Sequence, residues 1–342
     1  MNATQPSLDE KLYPPYKIAL LVELLREDGV APEAALQRSG IEPAALALPT
    51  TRTSCRQLLT VFENAMALTR DPAIALRAGR RMHITHYGLY GYALLSSPSV
   101  RAACEFAIRY HRLATPTVNM HLREQDGVAV WEFESAFELD RASALYRFII
   151  EFQFAVNYSL YRDVSNSDDK PKSVRAVYPA PAHAPQYETY LQCAASFGQP
   201  ANELRFDAAV LDRQPSLANP ITAAMLRESC DRLLGEMQTS VGMAAKVHGI
   251  LLQHPGQFPS EEAMAGKLHM VSRSLRRKLA AEGTSYKQIL SEVRKQIALK
   301  YLRETRMSTE DIAVTLGFSD ASSFRQAFKR WTDRNPSDFR TP

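Results

Sequence analysis

With 342 residues, 45% hydrophobic and 23% charged, the chain has the length for two domains with sizeable cores, and its composition excludes collagen-like, disordered and disulfide-scaffold classes. The net charge of +4 is unevenly spread: residues 240–342 carry 17 Lys and Arg against 10 Asp and Glu, the remainder 24 against 27, as suits a chain whose smaller part alone meets a polyanion. Cys55, Cys104, Cys193 and Cys230 form no CxxC pair, no apolar run is long enough for a bilayer and no leader follows Met1, so reduced thiols, a cytoplasmic setting, no zinc site and no membrane partner are expected.

In chain order, Ile18, Leu21, Val22 and Leu25 share one helical face closed by Gly29, and residues 32–38 suggest a short helix with proline at its first position. Thr53 or Ser54 caps a longer helix, and Asp71-Pro72 starts the next. Residues 87–92 alternate aromatic bulk with glycine, and Gly88 and Gly91 would let another backbone approach closely. These aromatics read either as packing elements or, with His86, Tyr87 and Tyr90, as the wall of an effector site. After a helix opened by Ser97-Pro98-Ser99, the period changes to two: Val118, Met120 and Leu122, the turn Asp126-Gly127, then Val128, Val130, Glu132 and Glu134. A strongly apolar helix through Phe148, Phe152 and Tyr158 follows, then a strand over residues 174–178, with further strand material at 204–206 and 210–211. The fold class is an α+β domain with a small antiparallel sheet, spanning residues 1–215.

No GxSxG, HExxH, P-loop or well-placed GxGxxG occurs, so no enzyme, catalytic residue, cofactor or metal site is expected. His183 and His254 stand alone, and Glu132 and Glu134 read as solvent-facing beside the hairpin. A bound small molecule is the better expectation for a mixed domain of this kind.

Residues 216–239 form a linker helix whose apolar stripe serves as a linker, an interdomain contact or a dimer seam. Residues 240–342 then read as an all-α domain. Ser260, with Glu261 and Glu262 in the first turn, caps a helix; after His269-Met270-Val271, Ser272 caps a second helix bearing Arg273, Arg276 and Arg277 opposite Leu275 and Leu279. The pattern returns near the end: Ser308 and Asp311 open a helix, Gly317 ends it, and Ser319 or Asp320 caps one that buries Phe324 and Phe328 and exposes Ser322, Arg325, Gln326 and Lys329. These are two helix-turn-helix units, the second with one extra residue in its turn. Residues 285–304 join them as a long helix, roughly 30 Å at ~1.5 Å per residue, close to the ~34 Å turn of B-DNA. The two second helices would therefore enter successive major grooves, where arginine reads guanine and glutamine reads adenine.

The stretch IAVTLGFSDASSFRQAFKRWTDRNPSDFR resembles the AraC/XylS family of bacterial transcription regulators, a likeness covering residues 240–342. The resemblance implies double-stranded DNA as partner, base reading by Arg273, Arg276, Arg277, Ser322 and Gln326, and phosphate contacts from Ser272, Lys278, Ser323, Arg325 and Lys329. Gln326 stands where the family often has arginine, and Asp333 where it usually has glycine. HYGLYGYALLSSPSVRAACEFAIRYHRLATP resembles the arabinose-binding-like effector domain of the subgroup that includes ornithine-utilisation and fatty-acid-responsive virulence regulators. That likeness implies a small-molecule effector, a possible homodimer interface and a ligand-responsive activator of nearby metabolic or virulence genes. RNA polymerase and the nucleoid would be its working partners. The alternative is a constitutive DNA-binding protein whose first domain only oligomerises.

Overall fold

A computed structural model describes residues 8–240, 242–252, 254–305, 307–332 and 334–340. They form two compact units that divide between Gly235 and Glu236.

The first unit begins with α1 (Tyr16–Glu27), α2 (Pro32–Ala35), α3 (Cys55–Leu68) and α4 (Ile74–Arg81). Ser54 caps α3 in a reciprocal capping box with Gln57, the stronger of the two caps the sequence offered. α5 (Gly88–Leu95) and α6 (Val100–Tyr110) follow. Gly91 admits the close approach expected of it: a Cβ there would lie 2.0 Å from the Ile84 carbonyl oxygen. Gly88 has no such backbone neighbour; its glycine answers instead to a φ of 51°.

β1 (Val118–Gln125) and β2 (Val128–Ser135) pair antiparallel in the predicted hairpin, Val118 opposite Ser135. With β3 (Ser173–Arg175), β4 (Ala194–Ser196) and β5 (Asn202–Asp207) they make a sheet in the order β1-β2-β5-β3-β4, antiparallel except for β3 beside β4. α7 (Ala144–Ser165) is the apolar helix and is buried on most sides; Phe154 meets Phe133 of β2 edge to face at 5.7 Å. The face of β2 that packs inward is Ala129, Trp131 and Phe133, while Glu132 is half-buried and Glu134 exposed.

Three expectations need correction. Residues 210–211 belong to a 3-10 turn, Ala208–Asp212, because the Asp207 carboxylate accepts from the Ala209 N–H and bends the chain out of the sheet. The strand read over residues 174–178 ends at Arg175, since the Val177 N–H turns aside to the Asn202 side chain at 3.1 Å. His183 does not stand alone: it is buried, with Nε2 2.8 Å from Glu151 Oε1. Neither α8 (Gln186–Leu191) nor three-residue β4 is foreshadowed by the residue pattern.

α9 (Pro220–Ser240) covers the stretch read as a linker, and the division between the units falls within it. In the first unit its Leu226, Cys230 and Leu234 pack into the core, Asp231 accepts from Tyr110 at 2.6 Å and Arg109 at 3.0 Å, and Met225 of the apolar stripe is exposed.

The second unit contains α10 (Met243–Leu252), α11 (Glu261–Lys267), α12 (Ser272–Ala281), α13 (Tyr286–Glu304), α14 (Thr309–Thr315) and α15 (Ala321–Thr332). It has two small cores. One gathers Val247, Leu251, Met264, Leu275, Leu279 and Val293; the other Leu302, Ile312, Leu316, Phe324 and Phe328. α13 supplies residues to both, and Ile297 packs against each. Asp333 lies outside the described residues. No helix among the described residues is long and apolar enough to cross a membrane.

Candidate DNA interface and effector cavity

The first helices of the two helix-turn-helix units begin and end in the same way. Ser260 accepts from the Ala263 N–H and Ser308 from the Asp311 N–H, each capping a first helix. Both first helices end in the same reversal: the Met270 N–H reaches Ala265 O at 3.0 Å and the Phe318 N–H reaches Ala313 O at 2.9 Å, with the residue between in left-handed conformation. In the second unit that residue is Gly317, φ 73°; in the first it is His269, φ 54°, a backbone position that costs a side chain about 1 kcal/mol. Asp320 is the cap of α15, accepting from the Ser323 N–H at 2.7 Å. Ser272 is not the cap expected of it: Val271 occupies that position without a side-chain bond, and Ser272 is the first helical residue.

On α12, Leu275 and Leu279 are buried and Arg273, Arg276, Arg277 and Lys278 are exposed. On α15, Phe324 and Phe328 are buried and Ser322, Arg325, Gln326 and Lys329 exposed. Not all of these side chains are available to a duplex. Arg276 bonds Glu261 of α11 at 2.5 Å, and Arg325 bonds Glu310 of α14 at 2.8 Å. The two arginines hold equivalent places, one residue after Leu275 and after Phe324, so each unit carries the same brace between its helices. The Ser323 hydroxyl is likewise engaged, 3.0 Å from Asp320 Oδ2. Arg273, Arg277, Lys278 and Lys329 have no ion-pair partner among the described residues.

Arg294 of α13 is a residue that periodicity did not single out. Its guanidinium lies 5.3 Å from the Phe258 ring centre and 4.8 Å from that of Phe318, and Nη2 donates to Gly317 O at 3.3 Å. A Cβ on Gly256 would come 2.5 Å from Thr315 O. The chain just before α11 is thus packed on the turn between α14 and α15, with Arg294 between two rings.

The first unit holds a partly open cavity of about 70 Å³ among α1, α5, α6, α7 and the hairpin. Tyr87 and Tyr90 line it, with Leu94, Val100 and Trp131; His86 does not, its ring nitrogen lying 3.0 Å from the His83 N–H at the surface. Lys17 was missed. It is 4% exposed, and its ammonium donates to Thr115 O at 2.8 Å. Burial draws its pKa down to about 8. Burial, helped by the charge of Lys17, takes neighbouring His111 to about 3, so that ring is neutral. Thr115 is itself in left-handed conformation, φ 55°, unusual for a β-branched residue. The available signal was a lysine whose i+4 and i+7 neighbours are Leu21 and Leu24, on the face that goes inward.

Residues 29–215 match the arabinose-binding domain of AraC transcription regulators, and residues 264–341 match a helix-turn-helix domain. The chain belongs to the AraC family of transcription regulators. It is a DNA-binding regulator and not an enzyme. Along 94% of its length and 94% of the relative's, this AraC-family chain is 36% identical to the ornithine utilization regulator of Pseudomonas aeruginosa. It is 29% identical to an uncharacterized HTH-type transcriptional regulator of Mycobacterium bovis over 98% of both chains. The crystal structure of the transcriptional regulator CdpR from Pseudomonas aeruginosa shares the fold, at 22% identity, a TM-score of 0.50 and coverage of 96% of this chain and 99% of that one.

Proposed function

We infer that this AraC-family chain is a ligand-responsive activator of nearby metabolic genes, working in the cytoplasm on promoter DNA beside RNA polymerase, as a homodimer. The observation that carries ligand responsiveness is the cavity of the first unit, with its aromatic wall and a buried lysine that has no acid beside it among the described residues. An unpaired buried charge is a cost to the empty protein, and an occupant that relieves it shifts the chain toward the state it prefers. The 36% identical relative is named for ornithine utilization, which makes small-molecule catabolism the first place to look for target genes.

On DNA, Arg273 and Arg277 read bases from α12 and Ser322 and Gln326 from α15, because these side chains are exposed and uncommitted. Lys278 and Lys329, with the Ser272 N–H at the first turn of α12, contact phosphate. Arg276 and Arg325 act as braces through Glu261 and Glu310 and do not read bases. A thermal-shift screen of metabolites, paired with genome-wide mapping of occupied sites, tests the reading. If no compound stabilises the protein or alters its occupancy, the first unit serves oligomerisation alone.

A further inference from the structure

α10 begins without a cap of its own. The residue before its first turn is Gly242, φ 119°, which has no side-chain oxygen to offer the open N–H groups of the helix. The cap comes from far along the chain. One oxygen of the Glu282 carboxylate accepts from the Met243 N–H at 2.7 Å and the other from the Ala244 N–H at 2.8 Å. Gly242 leaves the carboxylate its room, since a Cβ there would lie 2.8 Å from each of the two oxygens. Glu282 is itself the C-cap of α12. Taken alone, that is a poor place for an acid: it stands at the negative end of a helix dipole, on a helix whose exposed Arg273, Arg277 and Lys278 are set to meet a polyanion. Both oxygens go to the positive end of α10 instead, in charge-assisted bonds. α10 and α12 also share the first of the unit's two cores, through Val247, Leu251, Leu275 and Leu279, whereas α15 packs in the second.

Resting on the base-reading assignment above, we propose that Glu282 is a positioning residue for DNA recognition. It ties α12 to Gly242, the joint at which the chain coming from α9 enters α10, so that a displacement of this joint reaches the half-site read by α12 and not the one read by α15. Charge by itself predicts the contrary sign. Taking a negative charge off α12 should strengthen binding to any duplex, whereas breaking the tie should cost selectivity at one half-site.

The test uses the full chain with Glu282→Ala, with Gly242→Ala and with both. Each selects from random-sequence duplexes, and the bound DNA is sequenced beside that taken by the unchanged chain and by Arg277→Ala. Affinity is then measured on the best selected site and on a scrambled duplex. Gly242→Ala keeps the charge of Glu282 but puts a methyl group against its carboxylate and a side chain at positive φ. Each single variant is expected to lose about fivefold or more of its base preference in the one block of the site that Arg277→Ala also relaxes, the lower end of what a bidentate base contact contributes. The other block should hold to within about twofold, and the double variant should lose no more than the worse single, because both changes break one tie. Specific and scrambled binding are compared within one preparation, so protein that fails to fold drops out of the ratio. Glu282→Ala binding both duplexes more tightly with its preference intact would make the residue only a charge near DNA and overturns the proposal. Relaxation of both blocks, or losses that add in the double variant, overturns it too. If Arg277→Ala relaxes neither block, the base-reading assignment fails; the tie then stands or falls on whether the two single variants relax one and the same block.

Discussion

Replacing Lys17 by methionine should make the empty protein more stable near neutral pH, and the size of the gain should depend on pH. The ammonium is held in an interior that pulls its pKa from 10.5 to about 8, so at pH 7 its protonation is disfavoured on folding by roughly 3 kcal/mol. The sign is fixed by the direction of the shift. The unfolded chain holds the proton more tightly, so the penalty is full below about pH 8, fades as pH rises toward 10.5, and wild-type stability climbs through that window. Methionine is of similar length and removes the charge. It also leaves Thr115 O without its donor, a loss of about 1–3 kcal/mol that acts at every pH. The net gain at pH 7 is therefore about 1 kcal/mol, and the variant's advantage should shrink by roughly 2 kcal/mol between pH 7 and pH 9.5. For a unit of this size about 1 kcal/mol moves the midpoint by ~2–4 °C. Thermal and urea unfolding of both chains at the two pH values, without added ligand, measures this. A stability difference that is the same at pH 7 and pH 9.5 would refute the buried, unpaired ammonium.

Other substitutions test the DNA-binding unit. Arg277→Ala should lower affinity by about 1–3 kcal/mol at one base pair and relax preference there, whereas Lys329→Ala should weaken binding to all sequences and reduce the salt slope by about one; equal losses on specific and random DNA for Arg277→Ala would remove it as a base reader. Arg276→Ala should leave base preference unchanged, in keeping with its bond to Glu261, which footprinting on the same sites would show. Arg294→Ala removes stacking on two rings and a bond to Gly317 O, about 2–3 kcal/mol of contact between the halves, so the penalty for inserting one base pair between half-sites should fall; binding assays on spaced operators that show an unchanged penalty would argue against the clamp. The left-handed turns should respond with opposite signs in thermal unfolding: Gly317→Ala should destabilise by about 1 kcal/mol, and His269→Gly should stabilise by about 0.5–1 kcal/mol.

Local chemistry was legible where it is dictated by neighbours in the chain. Helix starts at Ser54, Ser260 and Ser308, the reversal at Gly317, the Asp126-Gly127 hairpin and the period-two strands follow from caps, turn residues and alternation, each settled within a few residues. The duplication was legible for the same reason, because Leu275 and Leu279 repeat Phe324 and Phe328 at fixed offsets. Short elements escaped: three-residue β4 and six-residue α8 have too little pattern to stand out, and residues 210–211 have strand composition but obey the side chain of Asp207.

What only the tertiary structure decided is which polar side chains are committed. By sequence Arg276 and Arg277 are alike; contact with Glu261, 15 residues away, separates them. Arg294 and Ser323 take their meaning from Phe258, Phe318 and Asp320 in the same way. Lys17 is the clearest instance. A lysine on a helix is ordinarily solvated; Leu21 and Leu24 put it on the inward face, but they do not say that α6, α7 and the hairpin close over its ammonium. Desolvation is a property of everything packed around a charge, contributed here from residues up to Val164, so it cannot be read from one stretch of chain.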